Sequence, residues 1–170
     1  GEAHFLRGLY YFNLVRLFGD VPWIDKQQTA SDDLQVSRTS KDIVYQHIID
    51  DFSDAASMLP AVYENTTDIG RATKGAAFGL LAKVYLTLKR YNETLVAIDS
   101  VMNLGVYSLN RKYEWNFSDL RENGPESLFE VQYEKDVTAY SEFDILGQGG
   151  WHHEYMAPLA SINIGGPWGN

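Results

Sequence analysis

The residues best suited to bind a ligand lie near the end of the chain, where no helical or strand periodicity accounts for the aromatic side chains. The candidate ligand-binding residues are Gln148, Trp151, His152, Tyr155 and Trp168. Aromatic rings stack on flat apolar faces, such as those of a sugar ring, and amide or imidazole groups hydrogen-bond its hydroxyls. Loop aromatics are better binding candidates than helix aromatics, which usually belong to a core. The alternative interpretation is that these rings pack beneath the loop.

Metal and catalytic chemistry find weaker support in the sequence. His152, His153 and Glu154 are consecutive, but adjacent side chains of a strand point apart and no third ligand is marked, so we expect no metal and no cofactor. Known catalytic motifs such as G-x-S-x-G or H-E-x-x-H are absent from the sequence. The acid pairs Asp32-Asp33 and Asp50-Asp51 are interpreted as solvated surface groups. We therefore expect a protein that is not an enzyme, with glycoside hydrolysis by two carboxylates as a remaining alternative.

Composition narrows the class of protein and partner. The 170 residues are 45% apolar and 14% aromatic, which suits a folded domain. The net charge is −9, with the acids scattered along the chain, so nucleic acid is not an expected partner whereas a neutral ligand suffers no repulsion. Cysteine is absent, which excludes disulfides and thiolate sites. The chain starts inside a helical pattern and stops in a glycine-rich stretch, so we expect both ends to be internal to a longer protein.

Periodicity predicts a mainly α-helical fold. The first helix, residues 1–18, carries two neighbouring apolar stripes that together make a broad face, and Gly19 suits its C-terminal end. A second helix is predicted over residues 39–59, with Thr39 or Ser40 as its cap. Residues 71–104 predict an antiparallel helical hairpin, in which Asn92 caps the second helix.

Two features of the hairpin follow from its composition. Small residues in its first helix, among them Gly75 and Gly79, would let another helix approach closely. Its second helix is expected to turn Leu95, Ile98 and Met102 inward. Beyond it, residues 105–170 are predicted to be loop-rich, with a strand near residues 127–134, where apolar and polar residues alternate.

The hairpin fits one tetratricopeptide-like unit, although Thr94 stands where that repeat usually has alanine. One such unit cannot bury its own apolar face, so neighbouring helices must cover it. The predicted fold class is therefore mainly α, with tetratricopeptide-like helical pairs (an α-α superhelix), a loop-rich region and short strands. A protein-docking tetratricopeptide scaffold is one function that this fold allows.

Three segments resemble the SusD/RagB family. They are EAHFLRGLYYF with LFGDVP in residues 2–22, GRATKGAA leading into LAKVYL in residues 70–86, and ESLFEVQY in residues 126–133. The segments occur in the family's order and span most of the chain. The chain is accordingly identified as a piece of one larger SusD-like domain.

The resemblance implies a function that composition alone does not give. Proteins of this family are lipid-anchored at the outer-membrane surface of Bacteroidetes-type bacteria and bind glycans without hydrolysing them. They deliver oligosaccharide or polysaccharide ligands to a SusC-like TonB-dependent transporter. The resemblance also implies tetratricopeptide-like helical pairs beside a loop-rich ligand site. The lipidated cysteine of the family lies outside this sequence.

Overall fold

The computed structural model describes residues 1–29, 35–118 and 121–132. The chain forms two compact units, Gly1–Glu130 and Val131–Asn170. The described residues of the first unit form four α-helices, which are α1 (Glu2–Phe18), α2 (Lys41–Met58), α3 (Lys74–Thr87) and α4 (Tyr91–Asn103). Short 3-10 turns occupy Thr66–Asp68 and Tyr113–Phe117. The predicted mainly helical fold class is confirmed.

Each helix packs mainly against its neighbour in sequence, so α1 and α4 lie at the two ends of the row. The largest fully buried side chains at the α1–α2 contact are Phe5, Phe12 and Phe52. Gly8 permits this contact, because a Cβ added there would lie 3.1 Å from the Phe52 ring. The buried phenylalanine rings and the glycine therefore allow α1 and α2 to pack closely.

The helix ends follow the predicted chemistry only in part. Gly19 ends α1, as predicted, with φ 69°, a positive value that glycine adopts without a steric penalty. Neither Thr39 nor Ser40 caps α2 through its side chain. The carboxylate of Asp20 instead accepts a hydrogen bond from the Lys41 N–H at 2.8 Å. Antiparallel pairing of Val21 with Thr39 accounts for this, because it brings the segment after α1 beside the start of α2.

The hairpin differs from its prediction at both helix starts. The first helix, α3, begins at Lys74 because Thr73 caps it by accepting a hydrogen bond from the Ala76 N–H at 3.1 Å. The second, α4, begins at Tyr91 without a side-chain cap, so the predicted role of Asn92 is wrong. Thr94 is buried, and its hydroxyl donates to the Arg90 carbonyl at 2.9 Å. A threonine can therefore replace the usual alanine here without leaving a buried hydroxyl unpaired.

Two predicted apolar faces are exposed in the described part of the chain. The second stripe of α1 consists of side chains that are 39% to 75% exposed, Leu6, Tyr10, Leu14 and Leu17. On α4 the buried residues are Thr94 and Ala97, whereas Leu95, Ile98 and Met102 are exposed. The inward orientation expected for these three residues is therefore wrong. The physical reason is that α1 and α4 each have a described helix on one side only.

The strand predicted near residues 127–134 is not present over residues 127–132, the portion that the structure describes. Two successive side chains, Leu128 and Phe129, both pack inward. Leu128 lies where a Cβ on Gly79 would overlap it, and the Phe129 ring is 4.9 Å from that of Phe5. Successive residues of a strand would point to opposite faces, so this packing is incompatible with the alternation that predicted the strand. Residues 133 and 134 lie outside the described part.

In the described ranges, no helix combines the length and the apolar character needed to cross a membrane.

Candidate functional site

The five candidate ligand-binding residues lie outside the described part of the chain. They are Gln148, Trp151, His152, Tyr155 and Trp168. The described part also excludes four residues considered for a metal site or as acid pairs, which are His153, Glu154, Asp32 and Asp33. Their roles therefore stay predictions. In the residues that the structure describes, a different place combines aromatic and polar side chains around an open space.

This place is a cleft of about 310 Å³ in the first unit, lined by parts of residues 61–73, 106–107 and 123–130. Three rings line it, those of Tyr63, Tyr107 and Phe129. Its polar lining residues include Asn65, Asp68, Arg71, Thr73, Ser127 and Glu130. A volume near 300 Å³ is at the lower end for small-molecule sites, and the mixture of rings with a few polar groups is typical of them.

Arg71 and Tyr63 form one wall of the cleft and hold each other in place. The Arg71 guanidinium lies 4.7 Å from the centre of the Tyr63 ring. It also donates to Asp68 at 2.8 Å and, through two nitrogens, to Glu2 at the start of α1. The Tyr63 hydroxyl lies 3.0 Å from the Glu2 carboxylate and 3.1 Å from the Ala72 carbonyl. These contacts tie the loop before α3 to α1.

A second lining ring, Tyr107, is positioned by the start of α3. Its hydroxyl is hydrogen-bonded to that of Thr73 at 2.9 Å. The ring lies directly on Gly75, so that a Cβ added at this glycine would overlap it. Gly75 and Gly79 thus admit Tyr107 and Leu128 from the segments after α4, rather than another helix as the sequence predicted.

A Gly75→Ala substitution in the first turn of α3 is expected to lower the free energy of unfolding, although alanine has a higher helix propensity than glycine. The reason is the overlap between the new Cβ and the Tyr107 ring. In a Tyr107→Ala background the overlap disappears, so the same substitution should raise the free energy of unfolding. Urea denaturation of the four proteins of this cycle tests the change of sign. A stabilising effect of Gly75→Ala in both backgrounds would contradict the described contact.

Two further lining residues, Phe129 and Glu130, are connected to the core and to a turn. Phe129 contacts Phe5, a side chain that is 0% exposed. The carboxylate of Glu130 accepts a hydrogen bond from the Asn123 N–H at 2.9 Å. With Asp68 and Glu130 as acids and Arg71 as a base already paired with two carboxylates, the described lining does not favour an anion.

Hydrogen bonding shifts the acid–base properties of the Arg71 wall. The hydrogen bond from Arg71 is the main cause that lowers the pKa of Glu2, and it outweighs the opposing effect of burial. Burial, followed by the hydrogen bond to Glu2, raises the pKa of Tyr63. Hydrogen bonds to Asp68 and Glu2 raise the pKa of Arg71. The ion pair is therefore maintained at neutral pH.

Stability should depend on Glu2 in acid. A carboxyl whose folded pKa is lowered adds stability above its unfolded pKa of about 4.3 and loses it as the pH falls through the folded value. The free energy of unfolding of Glu2→Gln should therefore lie furthest below that of the wild type near neutral pH, and the difference should shrink below about pH 4. The effect should be modest because both partners are partly exposed. Denaturation curves of Glu2→Gln, Arg71→Gln and the double variant test it, and an unchanged difference at low pH would contradict it.

A second polar cluster links α1 to α2. Asp51 is 2% exposed and accepts hydrogen bonds from Arg7 Nε at 2.8 Å, Arg7 Nη2 at 2.6 Å and His4 Nδ1 at 2.7 Å. The interpretation of Asp51 as a solvated surface group is therefore wrong. The helical period explains this, because Asp51 lies one turn from the buried Ile48 and Ala55 on the face that meets α1. The cluster joins α1 to α2, and its three residues are not among those that line the cleft.

Trp23 packs against side chains of α1 and α2. Its ring lies 4.2 Å from that of Tyr11 and 4.6 Å from that of His47, with the Arg7 guanidinium 5.1 Å away. The N–H of Ile24 donates to the Tyr11 hydroxyl at 2.8 Å, which fixes this segment further. Trp115 is covered by the Arg121 guanidinium at 3.7 Å. Across the described residues, no group of three or more histidine or acidic side chains is placed to hold a metal ion.

Sequence reasoning missed the cleft because its lining residues come from three separate segments that only folding brings together. One signal was available. Gly75 and Gly79 lie in the interior of a predicted helix, and such glycines mark a close approach of another part of the chain. The identity of that other part, Tyr107 and Leu128, is not encoded in the local pattern.

Comparison with known proteins agrees with this architecture. The SusD-like family, described as starch-binding and associating with the outer membrane, matches residues 1–86. A SusD-like protein of Formosa agariphila is 25% identical over 92% of this chain, which spans 32% of that relative. The chain thus covers about a third of the relative's length.

Solved structures give the same result. A SusD-like protein from Bacteroides fragilis has 37% identity and a TM-score of 0.72, over 81% of this chain and 27% of its own. A structure described as a laminarin-binding SusD-like protein has 30% identity and a TM-score of 0.68, over 75% of this chain and 29% of its own. By its sequence match and its helical architecture, this chain belongs to the SusD-like family.

Proposed function

We propose that this chain is part of a non-catalytic protein that binds oligosaccharide at the surface of the outer membrane. The observation that carries the proposal is the family match over residues 1–86, because that family is described as starch-binding and associating with the outer membrane. The similarity to a laminarin-binding SusD-like protein supports the same ligand class. A neutral glycan also suits a chain with a net charge of −9.

The proposal includes a partner and an anchor. The bound glycan is handed to a SusC-like TonB-dependent transporter, and a lipid anchor outside this sequence holds the full-length protein at the membrane. Support for both comes from the resemblance of the motifs in residues 2–22, 70–86 and 126–133 to the SusD/RagB family.

The glycan contacts that we propose include the aromatic residues of the C-terminal region. Trp151, Tyr155 and Trp168 supply rings for stacking, and Gln148 and His152 supply hydrogen-bonding groups. Their support is the clustering of aromatic and amide residues in a segment without helical periodicity.

Affinity electrophoresis tests the function and the residues together. The 170-residue chain is run through native gels that contain starch, laminarin or xylan. We expect at least one neutral glycan to retard the wild type and Trp151→Ala or Tyr155→Ala to reduce that retardation. Trp115→Ala and Tyr91→Ala are matched controls, since they remove the same rings from the loop after α4 and from the exposed start of α4.

The alternatives give different outcomes. Absence of retardation by every neutral glycan contradicts the proposed function. Retardation that persists in both Trp151→Ala and Tyr155→Ala contradicts only the proposal that these two residues contact the glycan. Release of reducing ends from a retarding glycan, abolished by one carboxylate substitution, would establish a hydrolase instead. Affinity for peptides without affinity for sugars would favour the tetratricopeptide scaffold.

A further inference from the structure

We propose that the cleft lined by Tyr63 and Tyr107 is a glycan subsite, and that it takes a single terminal sugar or a disaccharide of neutral charge. The inference rests on the proposed function and adds a place and a specificity to it. Four observations on the described residues carry it, namely size, wall chemistry, rigidity and charge.

The size limits the ligand to a short one. About 310 Å³ is close to the smallest volume usual for a ligand pocket, so the cleft is too small for a long glycan chain. The cleft is partly open to solvent, so a chain end can enter while the rest of the glycan stays outside. A terminal unit or a disaccharide therefore matches the space better than an internal stretch of polysaccharide.

The walls have the chemistry that a sugar ring needs. Tyr63 and Tyr107 supply ring surface for the C–H faces of the sugar. Asn65 and Ser127, which line the same space, supply an amide and a hydroxyl group for the sugar hydroxyls. Rings and neutral hydrogen-bonding groups in one small space fit a polyhydroxylated ligand better than a wholly apolar one.

The two tyrosine rings are already held in position. Tyr63 is fixed by its hydroxyl contacts to Glu2 and Ala72 and by the Arg71 guanidinium 4.7 Å from its ring. Tyr107 is fixed by its hydrogen bond to Thr73 and by its contact with Gly75. Binding to such preorganised side chains loses less conformational entropy than binding to mobile ones. These contacts distinguish the cleft from a surface depression between loose loops.

Charge decides between neutral and acidic glycans. Arg71 is the cation among the described lining residues, and its donors already bond Asp68 and Glu2. Asp68 and Glu130 add negative charge to the lining. A uronate or sulfate group would meet these carboxylates without an available cation, so an acidic sugar should be excluded.

The test is an NMR titration of the isotope-labelled 170-residue chain with maltotriose and laminaritriose, and with trigalacturonate as an acidic ligand of equal length. We expect a neutral trisaccharide to shift the amide signals of Gly70 and Gly124, which line the cleft, in a saturable way. Asn65→Trp fills the space from an exposed position and should weaken this binding at least about tenfold. Asn103→Trp, an equally bulky change at an exposed position at the end of α4, should leave it unchanged.

Each other result overturns the cleft subsite. Wild-type affinity in Asn65→Trp, equal shifts with trigalacturonate, or unshifted Gly70 and Gly124 signals with both neutral sugars would each do so. The proposed function is judged separately by gel retardation. Retardation that depends on Trp151 or Tyr155, without shifts in the cleft, would sustain the function and reject this subsite.

Discussion

An Arg7→Met substitution is expected to lower the free energy of unfolding by about 3–5 kcal/mol, because it removes one partner of a buried ion pair. The carboxylate of Asp51 is 2% exposed and accepts its two shortest hydrogen bonds from Arg7 Nη2 at 2.6 Å and His4 Nδ1 at 2.7 Å. Arg7 itself retains 32% exposure and reaches water. Loss of Arg7 therefore leaves the more deeply buried charge without its bidentate partner. Equilibrium denaturation in urea measures the effect.

Because Asp51 is more deeply buried than Arg7, a second prediction follows for the same ion pair. Asp51→Leu removes the buried charge and leaves an arginine that can still be solvated, so it should cost less than Arg7→Met. The double variant Arg7→Met/Asp51→Leu should recover most of the stability, since apolar residues often replace a buried ion pair without net loss. Arg16→Met, on the exposed face of the same helix, is the control. Equal losses for Arg7→Met and Arg16→Met would contradict the described cluster.

Phe5→Ala is the second substitution with a large expected effect, a loss of about 3–5 kcal/mol in the free energy of unfolding. The Phe5 ring is 0% exposed, and it packs edge-on against Phe52 at 5.9 Å and Phe129 at 4.9 Å. Its removal leaves a cavity where α1, α2 and the segment after α4 meet. Because Phe129 lines the cleft, the substitution should also loosen this part of the cleft lining.

Phe18→Ala provides the matched control for this prediction. Phe18 is the last residue of the same helix and is 62% exposed, so its truncation removes a ring without creating a cavity. We expect the stability of Phe18→Ala to stay within about 0.5 kcal/mol of the wild type, as is usual for surface substitutions. Comparable losses for the two variants would show that Phe5 is not the core residue described.

Local sequence chemistry was sufficient for features that depend on neighbours in the chain. Gly19 ends α1 with a positive φ, and apolar residues that recur at helical spacing predict the four helices. It was insufficient for α4, because whether Leu95, Ile98 and Met102 are covered depends on which element lies beside the helix. It also missed the Asp20 cap of α2, which comes from a residue 21 positions earlier in the chain.

The predictions made from local charge and from alternating apolar residues were wrong for a related reason. Asp51 looked solvated because an acidic residue beside another acid usually is, but its partners Arg7 and His4 lie on another helix. The alternation around Phe129 predicted a strand, whereas Leu128 and Phe129 both pack inward against glycine and phenylalanine from distant segments. In both cases long-range packing outweighed the local pattern.

Of the two sets of candidate ligand-binding residues, one was predicted from the sequence and the other was not. The C-terminal aromatic residues were nominated by composition and remain predictions, because Trp151 and Tyr155 lie outside the described residues. The cleft was found only from the fold, since Tyr63, Tyr107 and Phe129 are separated by long stretches of sequence. Both sets offer aromatic faces with neutral polar groups. Each set can be tested by its own substitutions.

Isothermal titration of the wild-type chain with oligosaccharides prepared from starch and laminarin measures neutral-glycan binding in solution. We predict saturable heat of binding with at least one of the two, while the oligosaccharide is recovered intact after the titration. Absence of binding to both, or recovery of shortened products, would contradict the account of a glycan-binding protein without catalytic activity.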